Sequence, residues 1–136
     1  MTTLTSVHTA IRAALTGAGV HAVVGPADDL PTDPDTGLVG QAAVLWPTPG
    51  WNQYTRGCGL SSGRVDRVLI TCVGASSFDA LAVADAVEAA IGGMRITAKG
   101  GTLTQTMASQ PVAEPNSDPR RVSFAVEYST ITKGLA

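Results

Sequence analysis

The stretch that decides the fold is "DRVLITCVGASSFDALAVADAVEAAIGG", residues 66–93. It starts as a strand with apolar side chains on both faces, which is typical of a central strand, and then passes through a turn of small residues. Apolar residues at helical spacing follow the turn. Many nucleotide-binding sites and some nucleophile-bearing turns begin in this way. The turn "CVGASS" is thus either a reactive site or a structural unit.

The turn lacks the residues that phosphate binding requires. A dinucleotide fingerprint has the spacing G-x-G-x-x-G and a P-loop adds a lysine, whereas this turn has one glycine and no lysine. Ser76 or Ser77 suits the N-cap of the helix, and Asp79 stands where a capping-box carboxylate would. The pattern therefore predicts a packing helix. Its predicted buried stripe is Leu81, Ala84, Val87 and Ile91, with Glu88 on the flank as an alternative to Val87.

The thiol of Cys72 lies in the strand that precedes this turn. An activated thiol needs a neighbouring base or cation, and the nearest candidate, Arg67, falls on the opposite face of the strand. A buried cysteine that fills the core is therefore favoured. Cys58, between two glycines, is expected to be more exposed. The cysteines form no zinc-ligand pattern, and the sequence predicts no catalytic residue, no cofactor and no metal.

The length of 136 residues fits a single domain, residues 1–136. Only 15% of residues are charged and the formal net charge is −2, so the clustered Lys and Arg that nucleic-acid binding requires are not expected. The N-terminal segment has no signal-peptide pattern, and no window resembles a membrane span. We expect a protein that folds in a reducing cytoplasm, with no membrane contact and no specific nucleic-acid binding.

The flanking segments predict the remaining elements. Apolar residues recur at helical spacing over residues 4–16, and "GVHAVVG" and "QAAVLWP" are typical of strands. "MRITAK" and "TLTQTM", separated by two glycines, indicate a hairpin. From Val122 to Tyr128 apolar and polar residues alternate, as in a long antiparallel strand with one covered face. The order of elements predicts an α+β fold in which a mixed, mainly antiparallel sheet of five to six strands packs with two helices.

Three long loops are predicted, over residues 26–40, 48–63 and 108–119, because these segments are rich in residues that break regular structure. Loops of this length are often functional, and we expect these three to be the most mobile parts of the free protein. The first loop contains four aspartates, Asp28, Asp29, Asp33 and Asp35. Their order lacks the glycine and glutamate of an EF-hand, so a solvated acidic loop that faces a basic partner is favoured over a cation site.

The second loop has the most unusual composition. It holds Trp51, Tyr54 and Arg56 among Gly, Pro and Asn, and Arg64 follows directly after it. Trp, Tyr and Arg dominate interface hot spots, so these four residues are candidate contacts with a partner. A loop that folds back over its own core is an equally good interpretation. Trp46, at the end of a strand, is predicted to lie in the core.

These pieces, in this order, resemble the tail-terminator (tail-completion) proteins of long-tailed, siphovirus-type phages, especially phages of actinobacterial hosts. The resemblance spans nearly the whole chain. It rests on "VHTAIRAALTGAGVHAVVG", "AAVLWPTPG", "RVDRVLITCVGASSFDALAVADAVEAAIGGMRI" and "RRVSFAVEYSTIT". It implies a tail-terminator-like fold and a homo-oligomeric ring, usually a hexamer, that caps the tail tube, stops its polymerisation and provides the head-joining surface.

The implied partners are further copies of the chain, the tail tube protein and the head–tail connector protein, at the head-proximal end of the virion tail. The resemblance implies no catalysis. A head–tail connector or stopper protein has similar size and composition and remains an alternative. A small ligand-binding domain or enzyme that uses the turn after Val73 is a further alternative, which would need titratable groups near that turn besides Asp79.

Overall fold

The structure is a computed structural model that describes residues 4–25, 32, 34, 37, 39–54, 61–96, 101–114 and 121–132. Along the chain the elements are α1 (Leu4–Gly17), β1 (Ala22–Val24), β2 (Ala42–Tyr54), β3 (Ser61–Gly74), α2 (Ser77–Ile91), β4 (Thr104–Ala108), β5 (Val112–Ala113) and β6 (Val122–Thr132). The predicted α+β fold, with a mixed, mainly antiparallel sheet and two helices, is confirmed.

In the described part of the chain, six strands form a sheet in the order β1-β2-β3-β6-β4, and β5 pairs with β6. β1 runs parallel to β2, whereas the other pairings among these strands are antiparallel. β3 lies between β2 and β6, which confirms the prediction of a central strand. α1 packs mainly on the β1 and β2 side of the sheet, and α2 packs on β3 and β6. β1 and β4 therefore form the two edges.

The core lies between the helices and one face of the sheet. Every second residue of β3 and β6 points into it, as the alternation in the sequence predicted, and α1 adds residues spaced by four. These side chains are Val7, Ile11 and Leu15 of α1, Val68, Ile70 and Cys72 of β3, and Phe124, Val126 and Tyr128 of β6. Full burial of an aliphatic side chain of this kind stabilises the fold by about 1.5–3 kcal/mol.

The buried side of α2 differs from the predicted one. Its buried residues are Ala80, Val83, Val87 and Ile91. Leu81, predicted to lie in the core, is 44% exposed, so that prediction is wrong. The physical reason is that α2 is rich in alanine and apolar on most of its sides, so the spacing of its larger residues does not determine which side faces the sheet.

The prediction that Trp46 lies in the core is also wrong. Ala43 and Leu45 of β2 face the helices, so alternation places Trp46 on the opposite face of the sheet, where it is 38% exposed. Its ring lies against Gly25, at which an added Cβ would come within 2.8 Å of the ring carbons. The indole Nε1 donates a hydrogen bond to Oγ1 of Thr71 at 3.0 Å. Trp46 thus anchors the end of β1 to the outer face of the sheet.

Much of the predicted loop over residues 48–63 is a strand extension. β2 continues to Tyr54 and β3 begins at Ser61, with Trp51 paired to Val65 and a register shift between Thr48 and Trp51. Residues 55–60 lie outside the described part of the chain. The two strands therefore form a long hairpin instead of a loop.

The backbone directions of β2 explain why Pro47 does not end the strand. The N–H of Ala43 donates to the carbonyl of His21, and the carbonyl of Leu45 accepts from Gly25, so alternate residues of β2 point towards β1. By the same alternation the nitrogen of Pro47 points away from β3, past the end of β1. Proline lacks an N–H donor, but at this position it removes no bond from the β2–β3 ladder.

The described residues of the other two predicted loops contain short β pairings. Thr32 and Val39 form an isolated bridge within the first. In the third, Val112–Ala113 pairs with β6, so this segment is not wholly irregular. Of the hairpin predicted from "MRITAK" and "TLTQTM", the described residues show a bridge between Arg95 and Thr102, and β4 pairs with β6; residues 97–100 lie outside the described part of the chain.

Candidate interaction surfaces

The predicted contact residues of the second loop lie on the β2–β3 hairpin. Trp51 and Tyr54 are in β2, and Arg64 is in β3 opposite Asn52. The side chains of these predicted contacts, and the whole of Arg56, lie outside the described residues. The same holds for the four predicted acidic contact residues, Asp28, Asp29, Asp33 and Asp35. Their roles as contacts remain predictions.

The turn between β3 and α2 is a packed connection. The Oγ of Ser76 accepts the N–H of Asp79 at 3.2 Å, which identifies Ser76 as the N-cap of α2. A Cβ added to Gly74 would lie 2.6 Å from the Cβ of Asp79 and 2.7 Å from the nitrogen of Ala80. The first turn of α2 is therefore packed against the end of β3, and only glycine allows that approach.

Cys72 has the properties of a core residue. It is fully buried, and desolvation by burial raises the pKa of its thiol from 9.0 to about 12. The thiolate is the reactive form of cysteine, so a thiol that stays protonated at neutral pH is a weak nucleophile. The predicted core role of Cys72 is thus confirmed, whereas Cys58 lies outside the described residues.

A buried hydroxyl ties α2 to β6. Tyr128 is 1% exposed, and its hydroxyl donates a hydrogen bond to Oε2 of Glu88. Burial, and next the neighbouring Glu88 carboxylate, raise the pKa of Tyr128 well above its usual value, so the tyrosine remains a neutral donor. The side of α2 that carries Glu88 is therefore turned towards β6.

A groove of about 430 Å³ lies between α1 and the strands β1 and β2. Its helical wall has residues at i, i+3, i+4 and i+7 spacing, which is the spacing of one helix face. These residues are Thr5, His8, Thr9 and Arg12. The strand wall is mostly apolar and consists of Val24, Leu45, Pro47, Thr48 and Pro49. An apolar wall opposite a few polar groups suits binding of an apolar group that carries an anion beside it.

His8 connects α1 to β2 at this groove. Its Nε2 lies 3.3 Å from the carbonyl oxygen of Thr48, and because a carbonyl only accepts, Nε2 must carry the proton in this bond. The Nδ1 atom is buried and has no hydrogen-bond partner in the described part of the chain. Arg12, one turn further along α1, is exposed. The groove therefore combines a fixed imidazole with a guanidinium that is accessible to a partner.

Phe78 is 84% exposed, although it is a large apolar residue. It lies in the first turn of α2, three residues before Leu81, so the two side chains are neighbours on the helix surface. The sequence did not single out Phe78 as a candidate contact residue. Its exposure follows from the rotation of α2, which the sequence pattern does not determine.

Within the described residues, no group of three or more His, Cys, Asp or Glu could hold a metal ion. In the same part of the chain no helix has both the length and the apolar character to cross a membrane. The surfaces that stand out are the groove beside α1, the exposed side of α2 and the β2–β3 hairpin.

The chain is thus a small α+β protein with two helices on one face of a mainly antiparallel sheet. Among solved structures it is similar to a chain in a structure described as "Virion of native gene transfer agent (GTA) particle", with a TM-score of 0.52 and 20% sequence identity. The alignment covers 96% of this chain and 94% of that chain. At this identity the likeness shows a shared fold. No protein-family model and no curated protein matches the chain.

Proposed function

We propose that the protein is a structural component of a phage-like virion and that it caps the end of the tail tube. The observation that carries the proposal is the fold shared, over 96% of the chain, with a chain from a gene transfer agent virion. The sequence resemblance to tail-terminator proteins supports the same kind of particle and suggests the position within it.

In this role the protein acts by binding and assembly. A terminator needs one surface for the tube, another for the neighbouring subunit and a third for the head-side connector protein. In a closed ring, one surface of each subunit contacts a different surface of the next subunit. The edge at β1, the β2–β3 hairpin and the groove beside α1 are available for these contacts. A homo-oligomeric ring, a hexamer in the family that the sequence resembles, would repeat them around the tube axis.

The β2–β3 hairpin is the proposed contact with the tube or with the neighbouring subunit. β1 pairs with β2 only as far as Leu45, so the hairpin extends beyond the region where β2 has both neighbours among the described strands. Trp51, Tyr54 and Arg64 lie on this extension, and these residue types dominate interface hot spots. Arg56 and the acidic segment 28–35 are additional candidates, the latter for a more basic partner.

Electron microscopy of particles assembled without the protein tests the proposed function. We expect tails longer than normal, because tube growth lacks its stop. Tails of normal length that fail to join heads would instead identify a head–tail connector. Particles with normal, joined tails would refute both roles.

Adding back the Trp51→Ala variant tests the hairpin. We expect overlong tails to persist, because the variant lacks the large aromatic side chain of the proposed contact. Met107→Ala is the matched control, since it removes another large apolar side chain, on β4, and should restore normal length. A Trp51→Ala variant that forms rings and caps tubes normally would exclude Trp51 from the contact.

A further inference from the structure

We propose that neighbouring copies of this chain join by inserting Phe78 and Leu81 of α2 in one copy into the groove between α1 and β2 in the next copy. The inference rests on the proposed ring and identifies the surfaces of its repeating contact. Such a contact needs two different, complementary surfaces on different sides of the subunit. The fold, the apolar side chains and the charges each supply part of this complementarity.

The two surfaces lie towards opposite edges of the sheet. The groove lies beside α1 and includes Val24 of the edge strand β1. On α2, Glu88 reaches Tyr128 of β6, which lies next to the other edge strand, β4. Leu81 precedes Glu88 by two helical turns and therefore lies on the same side of the helix. Subunits in contact through these surfaces can repeat head to tail.

The apolar groups of the two surfaces match in character and size. Phe78 and Leu81 are adjacent and exposed, and burial of an aromatic side chain removes about 150–250 Å² from water. The groove, of about 430 Å³, is large enough for a phenyl ring, and Val24, Leu45 and Pro47 supply its apolar wall. Insertion therefore covers apolar surface on both copies.

The charges on the two helices have opposite signs. α1 contains the charged residue Arg12, which lines the groove, and no acidic residue. α2 contains Asp79, Asp85 and Glu88 and no basic residue. Asp85 and Glu88 lie two helical turns after Phe78 and Leu81 and therefore on the same side of α2. In the proposed contact Arg12 meets this pair of carboxylates in the neighbouring copy. A symmetric contact of α1 with α1, or of α2 with α2, would bring like charges together and is disfavoured.

Sedimentation velocity of the purified full chain over a concentration series tests the contact. We expect the wild type to form a closed oligomer and Phe78→Glu and Arg12→Glu to weaken association by about thirtyfold or more, as for loss of a hot-spot side chain. A mixture of the two variants is diagnostic. The Phe78→Glu copy keeps its groove and the Arg12→Glu copy keeps its α2 surface, so together they form a one-to-one dimer that cannot grow.

Ala13→Glu and Met107→Gln are the matched controls. Ala13 is exposed next to Arg12 but does not line the groove, so Ala13→Glu controls for the added negative charge. Met107 is 51% exposed on β4 opposite Glu127, so Met107→Gln removes an exposed apolar side chain without placing two like charges opposite each other. Both variants should associate like the wild type, and circular dichroism should show that all variants are folded. Oligomers that persist in both groove and α2 variants, equal losses in the controls, or a wild type that stays monomeric at every concentration would overturn the contact.

Tail length separates this inference from the proposed function. If the wild type ends tail tubes while Phe78→Glu and Arg12→Glu still oligomerise, the contact is wrong and the function stands. If both variants lose association as expected but tails keep normal length without the protein, the function is wrong and the contact stands.

Discussion

Raising the pH from 8 to 10 is expected to lower the free energy of unfolding by about 1.4 kcal/mol through the titration of Cys72. Between the pKa of the unfolded chain and that of the fold, each pH unit lowers this free energy by about 1.36 kcal/mol. The thiol titrates at 9.0 without burial and at about 12 in the fold, because burial disfavours the thiolate. The protonated thiol of Cys72 therefore contributes its full share of stability below pH 9. This share is lost as the pH rises towards 12, because the unfolded chain releases the proton at a lower pH than the fold does.

Urea unfolding at pH 8, 9 and 10 measures this loss. A Cys58→Ser background leaves Cys72 as the chain's single thiol, and Cys72→Ala in the same background is the control. The control removes core volume and lowers stability at every pH, but its free energy of unfolding should fall less between pH 8 and 10. The other titrating groups are common to both proteins and cancel in the comparison. A Cys72 thiolate also raises the pKa of Tyr128, but the thiol stays protonated in the fold between pH 8 and 10, so the contribution of Tyr128 is nearly equal in the two proteins. Parallel pH profiles, or rapid labelling of Cys72 by a thiol reagent in the native protein, would refute the reasoning.

Two further predictions concern the turn into α2. Gly74→Ala should destabilise the protein by about 1–3 kcal/mol in thermal or urea unfolding, because its Cβ would collide with the first turn of α2. Gly17→Ala, which has nothing within 4 Å, is the control and should be neutral or slightly stabilising, and equal losses would contradict the close packing. Ser76→Ala should cost about 1 kcal/mol by removing the N-cap, whereas Ser77→Ala should cost little, and the reverse order would rule out Ser76 as the cap.

The sequence predicts best those elements that bury one face in the core and expose the other. Val122–Tyr128 alternate because one side of β6 meets the core and the other does not. α1 keeps one apolar stripe for the same reason. The buried side of α2 could not be predicted in this way, because alanine is apolar wherever it stands and so removes the contrast between buried and exposed positions.

The sequence does not predict the β2–β3 hairpin, because proline and glycine indicate a loop as long as their position in a strand is unknown. A proline excludes a strand only where its nitrogen faces a partner strand, and Pro47 faces away from β3. Which way a nitrogen points depends on register, and register depends on the pairing of β2 with both β1 and β3. This information is tertiary and is not contained in the segment itself.

The groove beside α1 was also beyond the sequence, because its two walls come from separate segments. His8 and the carbonyl of Thr48 are 40 residues apart along the chain, and neither segment contains a pattern that predicts contact with the other. Thr and His at helical spacing are ordinary surface residues until a strand is placed beside them.

An apolar residue can be buried in the core of its own chain or in a contact with another chain. The spacing of apolar residues along the sequence is the same in both cases. The spacing of Leu81 in α2 predicts burial, yet the helix packs on the sheet through Ala80, Val83, Val87 and Ile91 and leaves Leu81 exposed next to Phe78. Once the chain's own core is complete, the apolar side chains that remain outside it are those available for a partner. The proposed contact surface therefore consists of apolar side chains that the chain's own core leaves exposed. The acidic residues of α2 indicate that its partner surface should be positively charged.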